Sequence, residues 1–138
     1  MPKHVAQMSI KGLSDVGKVI KGSRVLIMGL TYKENVADTR ETPVRGIIKE
    51  LREYGIEVLG YDPLLDNIQD EFGINAVPNF KEAPKVDCVI ITVVHKVFQK
   101  ITLDELRGIM NDNPVLADVR AFYDQQQAEK VGFYYIGL

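Results

Sequence analysis

The sequence predicts an α/β fold built on a parallel sheet with crossover helices. Three observations carry that reading. Short apolar, β-branched runs alternate with stretches of helical spacing along the whole chain. Two of the runs, residues 24–30 and 86–94, are apolar almost throughout, as strands covered on both faces must be. The length of 138 residues fits one domain around one core, long enough to bury roughly two-thirds of the surface of the unfolded chain.

Residues 2 to about 16 read as a helix, with Pro2 tolerated in its first turn and Ala6, Ile10 and Leu13 on one stripe. Gly17 and Gly22 bracket its exit. The run from Arg24 then forms a strand expected at the centre of the sheet. After a loop over residues 31–41, Val44, Ile47, Ile48 and Leu51 recur at the spacing of an amphipathic helix, and Pro43 suits its first turn. Gly55 stops that helix, residues 56–61 form the second strand, and Asp62-Pro63 breaks it. The crossover of this βαβ unit is expected to be right-handed. A short helix is predicted over residues 64–72, a weak strand over 74–77, and a strong strand over 86–94. Thr102-Leu103-Asp104-Glu105 reads as a capping box opening a helix that carries Leu103, Leu106 and Met110. A strand over residues 114–119, a polar helix over 123–131 and a last strand over 133–136 complete the chain. The sum is a Rossmann-like, doubly wound, mostly parallel sheet of five to six strands with flanking helices.

Composition limits the function classes. Apolar residues at 46% and charged residues at 26% match a globular domain and exclude disordered or fibrous classes. No apolar run approaches the roughly 20 residues that cross a bilayer, and residues 1–5 do not open an export segment. A soluble, cytoplasmic protein with no membrane partner is expected. A formal net charge of −2 supplies no field for nucleic acid, so phosphate recognition must be local. The single cysteine, Cys88, excludes an internal disulfide and a cysteine-rich zinc site, and its apolar strand marks it as a small buried hydrophobe. Neither a metal site nor a catalytic residue is expected.

In open parallel sheets, ligands bind beyond the carboxyl ends of the strands. That rule selects residues 31–42, Tyr61-Asp62, His95 and Asp118-Val119-Arg120. A dinucleotide loop would show G-x-G-x-x-G there; Gly29-Leu30-Thr31-Tyr32-Lys33-Glu34 keeps the first glycine and has bulk and charge at the others. Asp62 is accordingly read as capping the turn before Pro63 rather than binding a ribose. Tyr32-Lys33 offers an aromatic face beside an ammonium, able to hold a planar base or sugar and to neutralise a phosphate oxygen. An exposed lysine beside a packed tyrosine would look the same. Arg40 can fork onto a phosphate or ribose, or pair with Asp38 or Glu41. Arg120 can make a bidentate phosphate contact or remain a solvated loop arginine. His95 has no carboxylate at a telling spacing and reads as structural or interfacial.

The segment from Gly29 to Pro43 resembles the aromatic-Lys-x-x-x-x-Asp-x-Arg-x-Ser/Thr motif of the UDP-glucose/GDP-mannose dehydrogenase family, here Tyr32, Lys33, Asp38, Arg40 and Thr42. Ile20-Lys21-Gly22-Ser23 matches its lead-in, and Tyr61-Asp62-Pro63, His95 with Phe98, and Asp118-Val119-Arg120 extend the likeness over nearly the whole chain. The resemblance implies the carboxy-terminal, UDP-binding domain of an NAD-dependent UDP-sugar 6-dehydrogenase of nucleotide-sugar metabolism and polysaccharide biosynthesis. On that reading Tyr32 and Lys33 contact the sugar nucleotide, Arg120 supports its phosphate-sugar region, and Arg40 reaches toward NAD held by another domain. Enzymes similar to this family oxidise a C6 alcohol to a carboxylate in two hydride transfers through a cysteine-linked thiohemiacetal and thioester. Their glycine-rich NAD loop and cysteine motif lie upstream, and Cys88 does not match that cysteine. Residues 1–20 are therefore expected to be a helical lead-in from an upstream region and residues 21–138 the UDP-sugar-binding domain. Its partners would be the NAD-binding and central domains of the same polypeptide, in a homo-oligomeric enzyme; alone it is expected to be inactive. A free-standing Rossmann-like nucleotide-binding or regulatory module is the alternative.

Overall fold

A computed structural model describes residues 2–138. Its elements in chain order are α1 (Pro2–Asp15), β1 (Arg24–Met28), α2 (Val44–Glu53), β2 (Glu57–Tyr61), α3 (Ile68–Phe72), β3 (Asn75–Ala76), β4 (Val86–Ile91), α4 (Leu103–Gly108), β5 (Met110–Asp118), α5 (Gln125–Val131) and β6 (Tyr134–Gly137). Short 3₁₀ turns occupy Phe80–Glu82 and Lys96–Lys100. The six strands form one sheet in the order β3-β2-β1-β4-β5-β6, and every neighbouring pair is parallel. The first three strands are laid down in one direction from β1 and the last three in the other. The switch point, where loops diverge and leave a crevice, therefore lies between the carboxyl ends of β1 and β4.

Alternation along the central strands divides the core into two layers. Val25 and Ile27 of β1, Cys88 and Ile90 of β4, and Val115 and Ala117 of β5 face the layer that holds Val5, Ala6 and Leu13 of α1 and Val44, Ile47, Ile48 and Leu51 of α2. Leu26, Met28, Val89, Ile91 and Leu116 face the other, with Leu106 of α4 and Ala128 of α5. The stripe of α1 differs from the expected one: Val5, Ala6, Ser9, Gly12 and Leu13 are buried, while Ile10 is only partly covered. Ser9 sits there because its hydroxyl donates to the Val5 carbonyl at 2.9 Å, and Gly12 because a Cβ would lie 2.9 Å from Ile136 Cδ1.

Other boundaries moved for local reasons. Met110, expected on the helix after Thr102, begins β5 opposite Val86; a register shift between Val86 and Cys88 carries the ladder past the exposed Asn111, Asp112 and Asn113. The helix expected over residues 64–72 begins at Ile68, because Asp62 and Pro63 hold the preceding residues in a turn. The strand expected through residue 94 ends at Ile91, where Thr92 turns into the crevice segment.

Candidate functional site

Gly29 opens the crevice. At φ +89° it turns the chain out of β1 where an added Cβ would lie 2.6 Å from Val93 Cγ2 and 2.8 Å from the Val93 carbonyl oxygen. The segment just after β4 thus packs directly on the backbone of the first loop, and the Thr92 hydroxyl donates to the Gly29 carbonyl. The loop then closes on itself. The Tyr32 N–H donates to the Asp38 carbonyl at 2.8 Å, and the Thr31 hydroxyl to the Lys33 carbonyl at 2.7 Å. Asn35 and Glu41 adopt positive φ values of 62° and 60° to make the turns.

Two hollows meet at Tyr32. One, of about 480 Å³, is bounded by Tyr32, Lys33, Val36, Asp38, Arg40 and Glu41. The other, of about 120 Å³ and almost wholly apolar, is lined by Thr31, Tyr32, Pro43, Val93, Val119 and Arg120, with Pro2 and Val5 of α1 along its side. Lys33 and Arg120 therefore line different hollows that share one aromatic ring. Lys33 Nζ lies 5.9 Å from the centre of that ring. Arg120 is half-exposed: its Nε donates to the Thr92 carbonyl at 3.1 Å and lies 3.5 Å from a carboxylate oxygen of Glu34, the neighbour of Lys33. Arg40 is more open than Arg120, and it is paired with Asp38 through Nε to Oδ1 at 3.2 Å and a terminal nitrogen to Oδ2 at 3.3 Å. Hydrogen bonds from Arg40 hold the Asp38 carboxyl below its usual value. Of the two roles open to Arg40 in the sequence, the ion pair is the one formed here.

A third hollow, of about 500 Å³, lies beyond β2 and β3. Its walls carry Asp66 and Asp70 and no lysine or arginine, which makes it hostile to a phosphate.

Two buried acids organise the rim. Asp62 is spent structurally: Oδ1 accepts from the Leu64 N–H at 3.0 Å, as a cap of the Pro63 turn should, and Oδ2 from the Leu30 N–H at 2.8 Å. Its third partner is His95, whose Nε2 lies 2.9 Å from Oδ2. The sequence carried no sign of this pair, since 33 residues separate its members and only the strand order, which sets the ends of β2 and β4 on either side of β1, joins them. Asp118 ends β5 and accepts from the N–H groups of Phe122 and Tyr123 at 3.0 and 2.8 Å and from the Tyr135 hydroxyl at 2.9 Å. That fixes the turn carrying Arg120, including Ala121 at φ +53°. Burial first, then the Asp118 carboxylate, raises the Tyr135 hydroxyl well above its ordinary value.

Among the described residues no group of three or more His, Cys, Asp or Glu side chains is arranged to hold a metal ion, and no helix is long and apolar enough to cross a membrane.

Residues 26–125 match the model described as the UDP-glucose/GDP-mannose dehydrogenase family, UDP binding domain. The chain is 33% identical over 131 residues to the UDP-N-acetyl-D-glucosamine 6-dehydrogenase of Salmonella typhi, covering 94% of this chain and 31% of that protein. It is 29% identical over 134 residues to the UDP-glucose 6-dehydrogenase of Rhizobium meliloti (strain 1021), covering 95% of this chain and 30% of that one. The chain thus spans about three-tenths of the length of these curated relatives. A solved NDP-N-acetyl-D-galactosaminuronic acid dehydrogenase from Methanosarcina mazei Go1 superposes with a TM-score of 0.87 at 23% identity, over 99% of this chain and 29% of that one, a likeness of fold.

Proposed function

The chain belongs to the UDP-glucose/GDP-mannose dehydrogenase family through its UDP binding domain, and from that premise we propose that it grips the UDP part of a UDP-sugar for an NAD-dependent 6-dehydrogenase. The observation that carries the reading is Tyr32 at the junction of two hollows beside the switch point, with Lys33 on one and Arg120 on the other. A tyrosine ring can lie against a planar base or sugar. The ammonium of Lys33 and the guanidinium of Arg120 can offset diphosphate charge, and Arg120 spends only Nε on its protein partners among the described residues. Its ion pair with half-exposed Glu34 is of the kind worth about 0–1 kcal/mol, so a phosphate can displace it.

The contribution of these residues is positioning: fixed cations and a fixed ring present the sugar end of the substrate to groups on other domains. A nicotinamide cofactor does not fit this chain on its own. The Leu30 N–H that could meet a pyrophosphate is already bonded to Asp62, and the Asp62 carboxylate is buried with both oxygens engaged, out of reach of a ribose. In this reading NAD belongs to an upstream domain of the same polypeptide, with exposed Arg40 turned to it after release from Asp38. The working enzyme is a cytoplasmic homo-oligomer that feeds polysaccharide biosynthesis.

Titration of the chain with UDP in a calorimeter tests the proposal. Lys33→Ala and Arg120→Ala should each cost on the order of 1.5–3 kcal/mol of binding, the worth of a hydrogen bond to a charged group. Wild-type affinity in both variants would overturn the assignment.

A further inference from the structure

Nucleotide binding gives no direct task to the buried imidazole beside the switch point. His95 is fully buried between the ends of β1, β2 and β4, and both of its ring nitrogens are engaged. Nδ1 accepts the Asn35 N–H at 2.9 Å, so the ring proton sits on Nε2 and is donated to Asp62 Oδ2, with the Thr31 hydroxyl oxygen 3.4 Å away. The same Asp62 oxygen accepts the Leu30 N–H. One imidazole is therefore tied to both feet of the segment 30–35: to Leu30 through Asp62, and to Asn35 directly. Tyr32 and Lys33 lie between those feet. A reciprocal bond closes the clamp, as the Lys96 N–H donates to the Asn35 side-chain carbonyl at 2.6 Å.

We infer that His95 is a positioning residue for the phosphate-binding segment, holding the Asn35 amide so that Tyr32 and Lys33 keep their place beside the switch point. The inference rests on the nucleotide reading for its purpose but not for its geometry. The task needs one acceptor and one donor on a rigid, buried frame, and neutral imidazole supplies both.

Two variants separate positioning from bulk support. In His95→Asn the side-chain carbonyl lies as far from the backbone as Nδ1 and keeps an acceptor for Asn35, while Asp62 loses its donor. In His95→Gln the amide reaches as far as Nε2 and keeps a donor for Asp62, while Asn35 loses its acceptor. Urea unfolding, hydrogen exchange at the Asn35 amide and UDP titration are measured for the wild type and both variants, with Lys33→Ala as the reference for nucleotide binding. His95→Gln should unfold near the wild-type midpoint, yet exchange Asn35 faster and bind UDP more weakly, each by roughly two- to tenfold, the equivalent of one hydrogen bond. His95→Asn should show the reverse, a lower midpoint with Asn35 protection and UDP affinity retained. Should exchange and affinity simply track the unfolding midpoint in both variants, His95 is a structural histidine and the inference fails. If the exchange pattern appears while UDP binding is absent or insensitive to Lys33→Ala, the clamp stands and the nucleotide reading falls.

Discussion

Gly29 sits where β1 ends and Val93 comes within van der Waals reach of its backbone, so its missing side chain is a condition of the crevice. Gly29→Ala adds a Cβ against main-chain atoms that cannot rotate away, at a φ that L-residues rarely adopt. A destabilisation of at least about 1–2 kcal/mol is expected, read as a lowered midpoint in urea, together with weaker UDP binding because the loop starts from a displaced foot. Cys88 makes the opposite case of a reactive residue type that the fold silences. Burial pushes its thiol up to about 12, against the weaker lowering effect of the Ser9 hydroxyl. It should resist alkylation by iodoacetamide at pH 8 in the folded chain and react once the chain is unfolded in urea. Labelling of the native protein at the rate of a free thiol would contradict its position in β4.

At the scale of elements, α4 shows how far local rules reach. Its capping box forms as the sequence indicates: the Thr102 hydroxyl accepts the Glu105 N–H at 3.1 Å, and the Glu105 carboxylate accepts the Thr102 N–H at 3.0 Å. For a helix of six residues that cap satisfies a large share of the free N–H groups. Thr102→Ala should cost about 1 kcal/mol in chemical denaturation and leave UDP affinity unchanged, since α4 lies on the face away from Tyr32. The other end of the same helix was not legible. Met110 falls on its apolar stripe, yet pairing with Val86 draws it into β5, because a ladder to a central strand outweighs the propensity of one more helical turn.

Over the whole molecule, the site and the polar hub that ties the strands together occupy opposite ends of the sheet. Near the start of β4, Asp87 accepts from Lys18 Nζ and the Arg24 N–H, each at 2.9 Å, and from the Asn111 side-chain amide at 3.1 Å. Burial alone would raise its carboxyl, but these donors outweigh burial and hold it below its ordinary 3.8. A group depressed on folding contributes stability that is present above the unfolded value and lost as pH falls through the folded one. Stability should therefore decline in acid below about pH 4, and Asp87→Asn should flatten that decline while lowering stability at pH 7. Because the hub lies far from Tyr32, the same variant should bind UDP as the wild type does. An unchanged acid limb would mean that other carboxylates govern it.

Local pattern along the chain dictates the class of fold, the order of its elements and the segments that line the carboxyl ends of the strands. Those follow from period and from turn chemistry, which are properties of neighbouring residues: the stripe from Val44 to Leu51, the glycine at the end of β1, the cap at Asp62. The motif from Tyr32 to Thr42 likewise carries the likeness to a sugar-nucleotide family in its residues alone. It takes the packed fold to bring His95 to Asp62 and Asn35, to set Lys33 and Arg120 on separate hollows sharing Tyr32, and to rest Arg40 on Asp38. The reason is physical. Hydrogen bonds and hollows at the end of a parallel sheet join residues tens of positions apart through the order of the strands, and no local pattern encodes which strand end will lie beside which.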